Sequence, residues 1–352
     1  MKLNIKNIIS DRKFETWVSY QLIYEWEDQL SQSLQIPIID NPDRLETNFI
    51  NRIRYNISKR ISYPITKFFR KISSFAGKPD ELSVSLYFHL IVSAPIELKK
   101  SRLNKIIPVI VDAFIDENFL PEFNKKYADC PLVLISSIEA YNYLKSANCT
   151  LNIQYWGLSL PDKYRMVKDI VYQKKYDILL AGRQNSSLEH FLDQYLKETE
   201  ASSGLNIVKS EIQNGQVIFT SNKDGNLGSF NSREEYMKLL RTARIVFYAT
   251  PGIDGGEKRT KGYNPVTPKY LESLSAQCKI LLRYPDTVET RLFEMERICA
   301  SINNYETFKQ QIELYISEKD NFDKETYLSI LDKSYTSVRA NELMDIVQST
   351  EI

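Results

Sequence analysis

Short apolar runs alternate with longer stretches of helical spacing along most of this chain, and that alternation predicts strands separated by helices. Leu3, Ile5, Ile8 and Ile9 mark a first strand; Phe14, Trp17, Val18, Ile23, Trp26, Leu30 and Leu34 mark a helix over 14–34, and 36–39 is a short second strand. Further strands are expected over 84–92, with His89 inside it, 106–111, 132–135 and 151–155, with helices around 118–126 and 138–145. Residues 157–172, with Pro161 and mixed charge, read as an interdomain connection. A second half begins at Tyr176: strand 177–181, loop 182–187, helix 188–198, short strands 205–208 and 216–220, helix 236–242 and strand 245–248. A strand over 280–282 follows, and the pattern beyond Val288 is mostly helical. Strands joined through helices imply right-handed crossovers and parallel sheets. The expected fold class is therefore α/β, two Rossmann-like domains with parallel sheets facing a central cleft. The expected boundaries are 1–160 and 161–335, with a C-terminal helix over 336–352 crossing back to the N-terminal domain.

One stretch interrupts the rhythm. Ile50, Ile53, Ile57 and Ile61 share a helical face, Pro64 breaks it, and Ile65, Phe68, Phe69, Ile72 and Phe75 resume it. Arg52, Lys59, Lys67, Arg70 and Lys71 lie opposite, and no acidic residue stands between Glu46 and Asp80. A basic helical insertion over 50–75 of this kind suits the surface of an anionic membrane. It equally suits two helices packed on the sheet with a solvated basic face, and more weakly a nucleic-acid contact.

At 352 residues the chain has room for two ordinary domains, and a formal net charge of +1 argues against a globally basic nucleic-acid protein. No apolar run is long enough to cross a bilayer. The segment MKLNIKNIIS is too short and interrupted for a signal peptide. The 4 cysteines, Cys130, Cys149, Cys278 and Cys299, lack metal-binding spacing and read as buried thiols of a reducing compartment. With only 2 histidines, His89 and His190, little material remains for a metal cage. A cytoplasmic protein follows, with a peripheral position at the inner face of the membrane if 50–75 touches lipid.

The densest chemistry lies in 248–282, YATPGIDGGEKRTKGYNPVTPKYLESLSAQCKILL, which runs from a strand through a Gly-rich, basic loop into a helix. A helix N-terminus offers unpaired N–H groups to an anion. Lys258, Arg259 and Lys261 add charge beside Gly255 and Gly256, and Glu272, one turn into the helix that follows Thr267, has two acceptor oxygens for a vicinal diol such as ribose. These residues fit a nucleotide diphosphate with its sugar. They also fit an ordinary surface loop, with Glu272 a solvated carboxylate.

In order and spacing, several segments together resemble a GT-B glycosyltransferase of the nucleotide-sugar-dependent group 1 family, over roughly 106–282. Residues 106–112 stand where such enzymes carry a strand entering the cleft. VLISSIEAYNYL (133–144) resembles their strand, serine and helix unit, and IQYWGLSLPD (153–162) the approach to the linker. YDILLAGR (176–183) is similar to the first strand and Gly-Arg loop of the donor domain, and PKYLESLSAQCKI (268–280) to the helix whose glutamate meets the donor ribose. The chain departs from the pattern at Gln184, Asn185 and Ser186, where a lysine is usual, and at Asp112, Ala113 and Phe114, where retaining members place a histidine. Ala276 and Gln277 replace the usual glycine after the glutamate helix.

The resemblance implies sugar transfer from a nucleotide-sugar donor to a saccharide or lipid-linked saccharide, in cell-surface polysaccharide or lipopolysaccharide biosynthesis. Gly182, Arg183, Lys258, Arg259, Thr267 and Glu272 become the donor-binding candidates. A catalytic base, if the reaction inverts, is sought first at Asp112, then Asp11, then His89; Asp112 as a cap of the next turn and His89 as a core histidine are the structural alternatives. With no DxD pair in a suitable loop, transfer is expected without a metal or other cofactor. Two further readings stay open: a non-catalytic sugar-nucleotide or glycan-binding protein of the same fold, and a sugar-nucleotide epimerase.

Overall fold

The computed structural model describes residues 1–45, 81–199, 204–213, 216–230 and 232–350. The basic stretch expected at 50–75 lies outside the described residues. The chain divides into two compact units, one of Met1–Ser136, Leu144–Trp156 and Ala340–Ile352, the other of Ser137–Tyr143 and Gly157–Arg339.

The first unit is built on a sheet of β1 (Lys2–Ser10), β2 (Ile38–Asp40), β3 (Glu81–Ile91), β4 (Ile106–Asp112), β5 (Val133–Ile135) and β6 (Ile153–Tyr155), all paired in parallel in the order β2-β1-β3-β4-β5-β6. Sheets of this kind are covered on both faces, so β4 and β5 read as unbroken apolar runs and are buried almost throughout. The helix Val18–Leu34 buries Leu22, Ile23, Trp26 and Leu30, and the Trp26, Phe88 and Trp156 rings meet at 6.0 and 6.2 Å. That helix starts later than the apolar spacing predicts. The backbone N–H groups of Phe14 and Glu15 donate to the Asp11 carbonyl, and the resulting turn takes up the residues expected to begin it.

The second unit carries β7 (Tyr176–Leu180), β8 (Ile207–Gln213), β9 (Gln216–Ser221), β10 (Gly225–Ser229), β11 (Ala243–Ala249) and β12 (Lys279–Arg283), in the order β10-β9-β8-β7-β11-β12. β8, β7, β11 and β12 are parallel, while β9 and β10 extend the sheet antiparallel. Phe247 and Phe191 both pack on Phe308 in its core. Residues 157–172, expected to be an interdomain connection, fall within this unit. Leu160, Tyr164 and Met166 are buried, Leu160 exchanges backbone hydrogen bonds with Ser334 and Thr336, and the Met166 N–H donates to the Tyr335 hydroxyl.

In each sheet the strand order reverses once, between β1 and β3 in the first unit and between β7 and β11 in the second. A crevice opens outside the carboxyl ends of parallel strands at such a reversal, because the two crossovers leave on opposite faces. Ligands of sheets like these bind at these edges.

Candidate functional site

At the second unit's reversal, β7 is followed by Ala181 and Gly182. Gly182 holds φ at +67°, a conformation glycine adopts without strain, and its N–H donates to Ser210 Oγ at 2.8 Å. This turn presents Arg183 and leads into the helix Ser186–Glu198, whose first N–H groups are capped by Asn185 Oδ1. Beside it, β11 delivers the loop 250–267, closed by a buried Thr250 Oγ1 to Asn264 Oδ1 hydrogen bond of 2.8 Å. The loop ends on the helix Pro268–Ser275, with Thr267 as N-cap residue and its N–H bonded to the Tyr248 hydroxyl at 2.7 Å.

Charge collects at this edge. Arg183 pairs with Glu257 Oε1, and Arg259 Nε donates to Glu257 Oε2 at 2.6 Å, so two guanidinium groups converge on one carboxylate. Lys269 Nζ donates to the Ala181 carbonyl at 2.8 Å. Burial, and then the Arg183 charge, push the Lys269 ammonium down to about 8, against the opposing pull of Glu272. Glu272 is buried, and its Oε1 is bound by Arg233 at the start of the helix Arg233–Arg241. Asp254 takes two bonds from Arg283 at 2.5 and 2.7 Å and others from Asn185 and Ser187; the Arg283 bonds, first, hold its carboxyl down at about 2.

Of the expected donor-binding residues, Gly182 and Arg183 lie on the turn after β7, Lys258 and Arg259 in the exposed part of the short 3₁₀ turn Lys258–Thr260 after β11, and Thr267 and Glu272 at the start and inside of the helix that follows. Sequence reasoning missed Lys269, Glu257, Arg233 and Tyr248. A signal existed for Lys269. The lysine usual after the Gly-Arg pair is absent, and Lys269 lies three residues before Glu272, on the same helical face.

At the first unit's reversal, Asp11 follows β1 and is buried. Its carboxylate accepts from Asn41 Nδ2 at 2.8 Å and from the Tyr87 hydroxyl at 2.7 Å, with Arg44 Nη1 at 3.7 Å. Asp11 therefore ties the end of β1 to the interior of β3 and to the residue that follows β2. Asp112 closes β4, half-buried, and its carbonyl accepts from the Val92 N–H at 3.2 Å. His89 lies buried inside β3, with Nδ1 2.5 Å from the Tyr127 hydroxyl. Glu27, which sequence reasoning passed over, is buried against Ser10 Oγ at 2.5 Å and Arg12 at 3.0 Å, and burial pushes it up to about 7.

Burial, and then the Lys126 charge, bring His89 down to about 4, so the folded chain holds a neutral imidazole. Between pH 6.5 and 4 the unfolded chain binds this proton and the folded chain does not, so stability is lost as pH falls through that window. The wild type should lose about 2–3 kcal/mol more than His89→Gln between pH 7.5 and 4.5, by urea unfolding. Buried Glu27 acts with the opposite sign and is common to both proteins, so it cancels in the difference. Equal losses in both would show that His89 is solvated.

Among the described residues, no group of three or more His, Cys, Asp or Glu side chains is arranged to hold a metal ion, and no helix is long and apolar enough to cross a membrane. No protein-family model and no curated protein matches the chain. Solved structures do. The pneumococcal O-GlcNAc transferase GtfA in complex with UDP and GlcNAc aligns at TM-score 0.45 and 8% identity over 76% of this chain, which spans 57% of that one's length. The E. coli trehalose-6-phosphate structure bound with UDP-2-fluoro glucose aligns at TM-score 0.46 and 12% identity, over 94% of this chain and 85% of that one. The Methanocaldococcus jannaschii UDP-GlcNAc 2-epimerase, in complex with UDP-GlcNAc and UDP, aligns at 0.40 and 12%, over 98% and 100%. At such identities and scores, what this chain does has to be argued from its own site.

Proposed function

We propose that this protein is a glycosyltransferase that takes a sugar from a nucleotide-sugar donor, with the second unit as donor-binding unit. The observation that carries the reading is the convergence of Arg183, Lys269 and Glu272 at the β7 and β11 carboxyl ends: Lys269 is held on Ala181, beside Arg183, and feels both its charge and that of Glu272. Two cations there suit a diphosphate, and a buried carboxylate one turn further suits ribose hydroxyls. In transfer, the bond between the anomeric carbon and the phosphate oxygen breaks as the acceptor oxygen bonds to that carbon. The electron pair goes to the diphosphate, where Arg183 and Lys269 stabilise the growing charge. The acceptor proton leaves to a base or to the departing phosphate. A saccharide or lipid-linked saccharide acceptor, the making of cell-surface polysaccharide, and membrane contact through 50–75 are proposed on the sequence alone.

Thermal-shift screening against nucleoside diphosphates and nucleotide sugars tests the donor half, because a ligand that binds only the folded state raises the melting temperature. At least one nucleotide sugar should raise it, and Glu272→Ala should reduce the rise for ribonucleotides more than for pyrophosphate. No shift with any nucleotide would refute the reading. Product analysis with a stabilising donor then separates glycoside formation from epimerisation.

A further inference from the structure

The two carboxylates of the loop 250–267 behave differently. Asp254 is held by Arg283, Asn185 and Ser187, and the Arg283 side chain is only 13% exposed. Glu257 meets two arginines that remain open to solvent, Arg183 at 41% and Arg259 at 55% side-chain exposure. Its backbone is fixed: the N–H donates to Pro251 and the carbonyl accepts from the Thr260 N–H and hydroxyl. The side chain therefore reaches out from an anchored point, and each carboxylate oxygen takes one guanidinium. Two oxygens of a phosphate between two arginines would present the same pattern of acceptors.

We propose that Glu257 is an internal counter-anion occupying a phosphate position formed by Arg183 and Arg259, and that a diphosphate ligand displaces it. The inference rests on the donor-site reading above and adds to it a built-in competitor. Half-exposed ion pairs contribute little, so the carboxylate gives way to a ligand of higher charge without the loop unfolding. While no ligand is bound, it keeps the two like charges of Arg183 and Arg259 from repelling each other. A singly charged anion gains nothing over Glu257, which discriminates in favour of diphosphates.

The test is calorimetric titration of the full chain, wild type and Glu257→Gln, with pyrophosphate and with nucleoside diphosphates, alongside melting temperatures. Glu257→Gln keeps the side chain's size and removes its charge, so pyrophosphate should bind about 3- to 30-fold more tightly. Adding Arg183→Ala should abolish the gain. Glu257→Asp, charged but shorter, should fall between. Unchanged or weaker binding in a folded Glu257→Gln protein overturns the proposal, since it would make Glu257 an organiser of the arginines. If pyrophosphate tightens while nucleoside diphosphates bind no better than pyrophosphate, the counter-anion stands and the nucleotide-sugar reading falls. Absence of binding by every probe to both proteins overturns both.

Discussion

Replacing Arg183 by alanine should lower kcat/KM for the nucleotide-sugar donor by about 10²-fold, with the melting temperature nearly unchanged. The direction follows from position. Arg183 stands on the turn after β7, its side chain 41% exposed and paired with Glu257, and losing so exposed a side chain costs the fold little. A donor aimed at the oxygen where charge develops is, by contrast, worth several kcal/mol in the transition state. Lys269 should share the load, and its ionisation makes its part separable. With the ammonium brought down to about 8, the wild-type kcat/KM should fall as pH rises through that value, because the cation is lost above it. Lys269→Arg stays charged and should carry its activity flat through the same range. A wild-type profile that is flat from pH 7 to 9.5 would remove Lys269 from the leaving-group site, and unchanged kinetics in Arg183→Ala would remove Arg183.

The strands were legible for a definite reason. Parallel sheets are buried on both faces, so β4, β5, β7, β11 and β12 appear in sequence as apolar runs without alternation. β10 was not. Its sequence, GNLGS, contains two glycines and a single large apolar residue, and it is a strand because it pairs with β9 at the sheet's edge. The same division runs through the candidate site. Gly182, Arg183 and Glu272 could be found because each follows a strand or sits on a helix at a fixed offset. Glu257 could not: its place beside Arg183 depends on two loops that meet only because β7 and β11 are neighbours in the sheet. Asp11 shows the converse. Its offset after β1 marks it as a candidate base, but Asn41 and Tyr87, remote in sequence, supply the donors that fix its carboxylate.

Gly252→Ala should cost about 1–3 kcal/mol of stability by urea unfolding and also weaken diphosphate binding, while Gly255→Ala, in the same loop, should cost about 1 kcal/mol and leave binding intact. The two glycines serve different ends. Gly255 is at φ +68° with nothing within 4 Å of where a Cβ would stand, so alanine there meets only the left-handed backbone penalty. Gly252 has an ordinary φ of −90°, yet a Cβ would press into the Tyr263 carbonyl, well inside van der Waals contact, and would stand 3.1 Å from Thr260 Oγ1. Neither neighbour yields freely. The Thr260 hydroxyl and N–H are bound to the Glu257 carbonyl, and Tyr263 adjoins Asn264, whose side chain closes the loop on Thr250. Relieving the clash moves the backbone that anchors Glu257 and Arg259, and the convergence on Arg183 goes with it. If Gly252→Ala kept wild-type affinity for pyrophosphate despite the lost stability, the loop's close packing would be structural only, and the anion site would have to lie with Arg183 and Lys269 alone.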